Sequence, residues 1–144
     1  MVEKDKTLLE KLGVDVGYKT SHVKAISESD IDRFADISGD FNPVHMSEEY
    51  AQQTVFGGRI AHGVIVVALL SAAIAKLPGL VILLSNSSRF LKPVRIGDTI
   101  TALAEVTNTR KKSGIITLKS TCTNQNGEAV VESETTVRLY EAPA

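Results

Sequence analysis

Residues 63–75 carry no charged side chain, and Ser71 is their only hydroxyl. Thirteen residues are too few to cross a bilayer, which takes about 20. Lys76, Pro78 and Gly79 break the run before the next apolar stretch, Leu80-Val81-Ile82-Leu83-Leu84. A helix that is apolar on every side must be buried on every side. The segment 63–77 therefore reads as a central helix, and a chain of 144 residues buries such a helix by wrapping a sheet round it.

The second half of the chain supplies that sheet. Residues 80–90 form the first long strand candidate. Over 99–108, Ile100, Ala102, Ala104 and Val106 alternate with Thr101, Leu103, Glu105 and Thr107, the period of a half-buried strand. Arg110-Lys111-Lys112-Ser113-Gly114 is a polar turn, and residues 115–124 form another strand. Asn126-Gly127 is a strong hairpin signal. In the last strand, 128–140, Ala129, Val131, Ser133, Thr135, Val137 and Leu139 share a face. Consecutive strands joined by tight turns predict an antiparallel meander, so the class is α+β.

Composition narrows the function. A net charge of −1 gives no global attraction to nucleic acid or to an anionic membrane. One cysteine, Cys122, excludes an internal disulfide framework and fits a reducing, cytoplasmic setting. With three histidines and that single cysteine, no thiolate metal site is expected. Residues 1–17 read as a leader with a turn of helix near Leu8 to Leu12 and no signal peptide, and residues 18–144 as the domain.

Between leader and central helix lies the chemistry. A strand over 18–26 precedes a helix capped by Ser27, with Ile31, Phe34, Ala35 and Ser38 on one face and Gly39 at its end. Ser47 caps a further short helix reaching Thr54, with Met46 and Ala51 as a hydrophobic staple and Gly57-Gly58 beyond it. The loop between them, 40–46, holds Asp40, Asn42 and His45. Residue types alone leave two readings open. Asp and Asn can simply bond their own backbone in a turn, or Asp40 and His45 can divide acid and base roles while Asn42 orients a carbonyl. Gly63 opens the central helix, where amides lack internal partners and suit an oxygen gaining negative charge; a plain helix-start glycine explains it equally. His62 reads as a structural histidine that caps or orients. Ser71, two turns along, either bonds its own helix backbone or lines a pocket.

Taken together these residues resemble a known family. Phe34-Ala35-Asp36-Ile37-Ser38-Gly39-Asp40-Phe41-Asn42-Pro43-Val44-His45 is similar to the signature of the MaoC-like, (R)-specific enoyl-CoA hydratases. Ile60-Ala61-His62-Gly63 and Phe90-Leu91-Lys92-Pro93-Val94-Arg95-Ile96-Gly97-Asp98 resemble its second and third blocks, in order, within residues 18–140. The resemblance implies a hotdog fold, an antiparallel sheet wrapped around a long central helix, in a homodimer joined sheet edge to sheet edge. It implies reversible addition of water to trans-2-enoyl thioesters of CoA or acyl carrier protein, with no metal or redox cofactor. Asp40 and His45 become the catalytic pair, the Gly63 amide the partner of the thioester carbonyl, and Asn42, His62 and Ser71 supporting residues. The Val- and Ile-rich start of the helix departs from the short-chain pattern and leaves acyl length open.

Two other functions fit a hotdog domain. A thioesterase would direct water at the carbonyl carbon, and a non-catalytic acyl-thioester binding module would hold ligand without turnover. The intact Asp40, Asn42 and His45 set favours the hydratase, or the same enzyme run as a dehydratase.

Overall fold

The computed structural model describes residues 5–144; residues 1–4, the start of the leader, lie outside the described residues. Helix α1 (Leu8–Leu12) opens it. Thr7 and Glu10 each bond the other's backbone amide, a reciprocal cap. Leu9 of this helix and Val14 just beyond it pack into the same core as the rest of the chain.

Strand β1 (Lys19–Ala25) follows. Helix α2 (Glu28–Ser38) starts at Ser27, whose hydroxyl accepts from the Asp30 amide while Asp30 accepts from the Ser27 amide. It buries Ile31 and Ala35. Ser38, expected on the same face, is exposed. The loop expected over 40–46 is half helix: α3 (Pro43–Met46) occupies its second half. Asn42 caps that turn, accepting from the Val44 amide, and Pro43 sits at the first helical position, where its missing N–H costs nothing. Ser47 caps α4 (Glu48–Gln52), which ends short of Thr54.

The central helix α5 runs Gly63–Ile74. Strands β2 (Leu80–Phe90), β3 (Thr99–Arg110), β4 (Ile115–Thr123) and β5 (Ala129–Tyr140) complete the fold. All pairings are antiparallel, in the order β1-β3-β4-β5-β2. The predicted meander thus holds for β3-β4-β5 alone. β2 pairs with β5, not with β3, because residues 91–98 carry the chain across the sheet. Leu91 starts that link bonded to Val130, Val94 accepts from Ala61, and Gly97 ends it bonded to Ile26 at the far edge.

Ile65, Val66, Leu70, Ala73 and Ile74 of α5 face the concave side of the sheet. There they meet Ile100, Ala102, Ala104 and Val106 of β3, with Leu118 and Val137 from its neighbours, all buried in one cluster. Each Ile, Val or Leu so buried contributes about 1.5–3 kcal/mol. The expectation that α5 is buried on every side is corrected. Val64 is 55% exposed, and Ala68, Ser71 and Ala75 face solvent. Five strands curl against one side of the helix and leave the other uncovered.

The β3–β4 and β4–β5 turns make a test of backbone packing. Gly114 and Gly127 both have positive φ, 76° and 75°. A Cβ on Gly114 would lie 2.7 Å from the Leu139 carbonyl oxygen, whereas Gly127 has open space around it. Gly127→Ala is expected to cost about 1 kcal/mol in urea unfolding from conformational strain alone, and Gly114→Ala about 2–3 kcal/mol. Equal losses would show that the Leu139 approach is irrelevant.

Candidate active site

Three segments converge at the N-terminus of α5: the α2–α3 turn, α3, and residues 59–62. Backbone bonds hold the last of these in place, from the Ile60 amide to the Val44 carbonyl and from the Ala61 amide to the Val94 carbonyl.

Asp40 sits in an Asx turn. Its carboxylate accepts from the Asn42 amide at 3.1 Å, and its own amide donates to the Ser38 hydroxyl. Its side chain remains exposed. His45, on α3, is 8% exposed. One of its ring nitrogens, Nδ1, lies 2.8 Å from the Ile60 carbonyl oxygen. A carbonyl only accepts, so Nδ1 carries the hydrogen and the lone pair of the uncharged ring is on Nε2. Burial lowers the His45 pKa below the ordinary 6.5; His62 adds to that, while the Ile60 carbonyl and Asp40 oppose it.

His62 is the N-cap residue of α5, yet its side chain makes no capping bond. Instead Nε2–H donates to the main-chain carbonyl of Asp40 at 2.9 Å. Its ring stacks on that of His45, centroids 4.0 Å apart and planes 33° apart, and meets Phe34 on a tilted contact at 4.8 Å. Gly63 begins the helix with an amide that has no partner within it. The Phe90 ring covers its Cα so closely that a Cβ would lie 2.7 Å from Cδ1. A cavity of about 470 Å³ opens here, walled by His45, Ala61, Gly63, Val66, Phe90 and Val131.

Ser71 is not brought to this cavity. Eight residues along an α-helix advance it about 12 Å from Gly63 and turn it about 80°. It opens instead on a separate cleft of about 80 Å³ with Ile74, Val81 and Val137. Asn42 is near the pair, but its carboxamide oxygen is engaged in capping α3.

Asp40, His45 and His62 each present a possible metal-ligand atom within 4.8 Å of the others. Both rings already donate one nitrogen to a backbone carbonyl.

The sequence reading passed over Arg59. Its guanidinium is buried, 8% exposed, and bonds the His45 carbonyl through Nε at 2.6 Å. It also meets Glu28 at 2.6 Å and Asp32 at 3.5 Å, both on α2. The available signal was a charged residue just before an apolar run, with acids four apart on the preceding helix.

The fold and site are those of a hotdog-type acyl-thioester enzyme. The family model described as "MaoC like domain" matches residues 11–128, and the chain belongs to that family. It is 46% identical over 125 residues to the (R)-specific enoyl-CoA hydratase of Rhodospirillum rubrum, covering 85% of this chain and 86% of that one. It is 38% identical to the 3-hydroxybutyryl-CoA dehydratase of Methylorubrum extorquens, over 88% and 81% of the two chains. The solved (R)-hydratase of Aeromonas caviae superposes with a TM-score of 0.84 at 36% identity, covering 88% of this chain and 98% of that one.

Arg59→Met removes the hold on α3 but leaves Glu28 and Asp32, which are well exposed, free to rehydrate. The loss is then chiefly the orphaned His45 carbonyl. Urea unfolding is expected to show about 1–3 kcal/mol of destabilisation. Arg59→Lys, which lacks the fork, should recover only part of it.

Proposed function

We propose that the protein catalyses reversible, (R)-specific hydration of trans-2-enoyl thioesters to 3-hydroxyacyl thioesters. The observation that carries this reading is the Asp40–His45 pair set beside the open Gly63 amide at an apolar cavity. The names of the relatives point to the same chemistry.

Water is a poor nucleophile and the beta carbon of an enoyl thioester a modest electrophile. A substrate carbonyl on the Gly63 amide draws electron density from the double bond. A water between His45 and Asp40 loses a proton to His45 Nε2, while the Asp40 carboxylate accepts its other hydrogen. Asp40 and His45 present polar atoms within 4.8 Å of each other, near enough to share one water. The water oxygen bonds to the beta carbon, the double-bond electrons move toward the alpha carbon and carbonyl oxygen, and the proton held on His45 returns to the alpha carbon. Dehydration is the reverse. Water held on one face of the alkene gives one configuration. No metal or redox group enters this addition, since every bond change is a proton or electron-pair shift.

The carrier is CoA or acyl carrier protein, as in the names of the relatives. A homodimer is part of the proposal. Its support is the uncovered side of α5 and the free edge of β2, where Leu80, Ile82, Leu83 and Leu84 are each 42–57% exposed. A cytoplasmic setting rests on Cys122, a free thiol whose burial pushes its pKa up to about 11. Among the described residues no helix is long and apolar enough to cross a membrane.

The test follows the conjugated enoyl absorbance of crotonyl-CoA. Asp40→Asn and His45→Gln are each expected to lower kcat by about 10²–10⁴. Release of free thiol instead of loss of the alkene would point to a thioesterase.

A pH profile tests the assignment of His45. The base must be uncharged, and its pKa lies below 6.5. Activity is then fully present above that value and falls only as pH drops through the lowered pKa. The acid limb of kcat/KM is expected below pH 6.5; a limb above it would remove His45 from the role of base.

A further inference from the structure

His62 touches both members of the proposed pair with different parts of one ring. Its Nε2–H holds the main-chain carbonyl of Asp40, and its face carries the imidazole of His45. It is 1% exposed and backed by Phe34 on a second contact. Its Nδ1 is buried with no hydrogen-bond partner. A histidine kept only to fill space has no need of two nitrogens here, since an apolar ring would avoid the orphaned acceptor. The position also forgoes the side-chain cap that Ser or Asp would give α5.

We infer that His62 is a positioning residue that sets the spacing and orientation of Asp40 and His45 relative to each other and to the Gly63 amide. The inference rests on the hydratase reading and adds a role to it. His62 is bonded to Gly63 through the chain, so one ring references Asp40, His45 and the Gly63 amide to the start of α5. Asp40 is otherwise fixed only by its local turn, and His45 by the Ile60 carbonyl and by Arg59 on its backbone. Without His62 the pair is joined only by the short turn that leads from Asp40 into α3.

The role predicts a loss in kcat rather than in KM. His62→Phe keeps a flat ring against His45 and removes the donor to Asp40. Its kcat with crotonyl-CoA is expected to fall about 10²-fold, with KM within about threefold of wild type. His62→Gln replaces the donor near the Nε2 position and should recover about tenfold of that loss.

Two results overturn the inference: a His62→Phe kcat within threefold of wild type, or a His62→Gln variant no better than His62→Phe. A measurement on the unaltered protein covers the case in which variants fail to fold. Long-range ¹H–¹⁵N correlation, with only three histidines to assign, should show hydrogen on Nε2 of His62 and on Nδ1 of His45. Hydrogen on Nδ1 of uncharged His62 breaks the bond to Asp40 and overturns the role. If the protein does not hydrate crotonyl-CoA at all, the function proposal fails, while the tautomer result still reports on the arrangement.

Discussion

Burial of one side of α5 against the concave sheet is the constraint from which the site hangs. Ile65, Val66, Leu70 and Ile74 fix the rotation of the helix, and with it the direction in which its first amides point. Those four side chains together contribute on the order of 6–12 kcal/mol, comparable to the net stability of a domain. No surface ion pair competes with that. Lys19 and Glu105, at 4.0 Å and well exposed, are worth about 0–1 kcal/mol. The crossing link 91–98 then pins residues 59–62 to the same helix end through Val94, and Phe90 closes over Gly63. Rotating α5 by one residue would break the cluster and shift Gly63 relative to the cavity it shares with His45.

Around that helix end, polar groups are held by main-chain oxygens rather than by charged side chains. The Ile60 and Asp40 carbonyls each take one imidazole hydrogen. This fixes ring orientation and tautomer without placing a full charge beside the pair. Arg59, a buried cation, is turned away onto the His45 carbonyl and the acids of α2. A guanidinium on the imidazole side would hold water and carboxylate as an ion pair; here it acts on the backbone. Burial is the main reason that the His45 pKa lies below its ordinary value.

How much of this was legible depends on whether a signal is local. Capping boxes, the Asn126-Gly127 hairpin and the alternation of β3 and β5 are written within a few residues, and the structure reproduces them. The pairing of β2 with β5 is not local. It is set by where residues 91–98 cross, and periodicity carries no such information. The apolar character of α5 was read correctly as burial, but one chain has only enough sheet to cover one side. In the site, Asp40, His45 and Gly63 are legible as candidates because their side chains, or the lack of one, suit the chemistry. Arg59 carries no local signal because it acts on a carbonyl fourteen residues back, and Ser71, which the family resemblance implies as a supporting residue, lines a separate cleft.

The two readings of the Asp40 loop, a rigid turn or an acid/base site, were set against each other at the level of residue types. The geometry makes them parts of one device. One carboxylate oxygen accepts from the Asn42 amide, and Asn42 in turn caps the helix that carries His45. The turn therefore connects Asp40 to His45 through four residues of fixed backbone, with Pro43 limiting φ at the first helical position. A free carboxylate on a mobile loop loses its orientation each time the loop relaxes. Here the ordering is part of folding, so little remains to be lost when substrate arrives. Asp and Asn in such a loop are turn formers because their side chains bond nearby amides, and the same bonds hold the remaining carboxylate oxygen in a fixed direction. The bland reading is thus the mechanical condition for the chemical one.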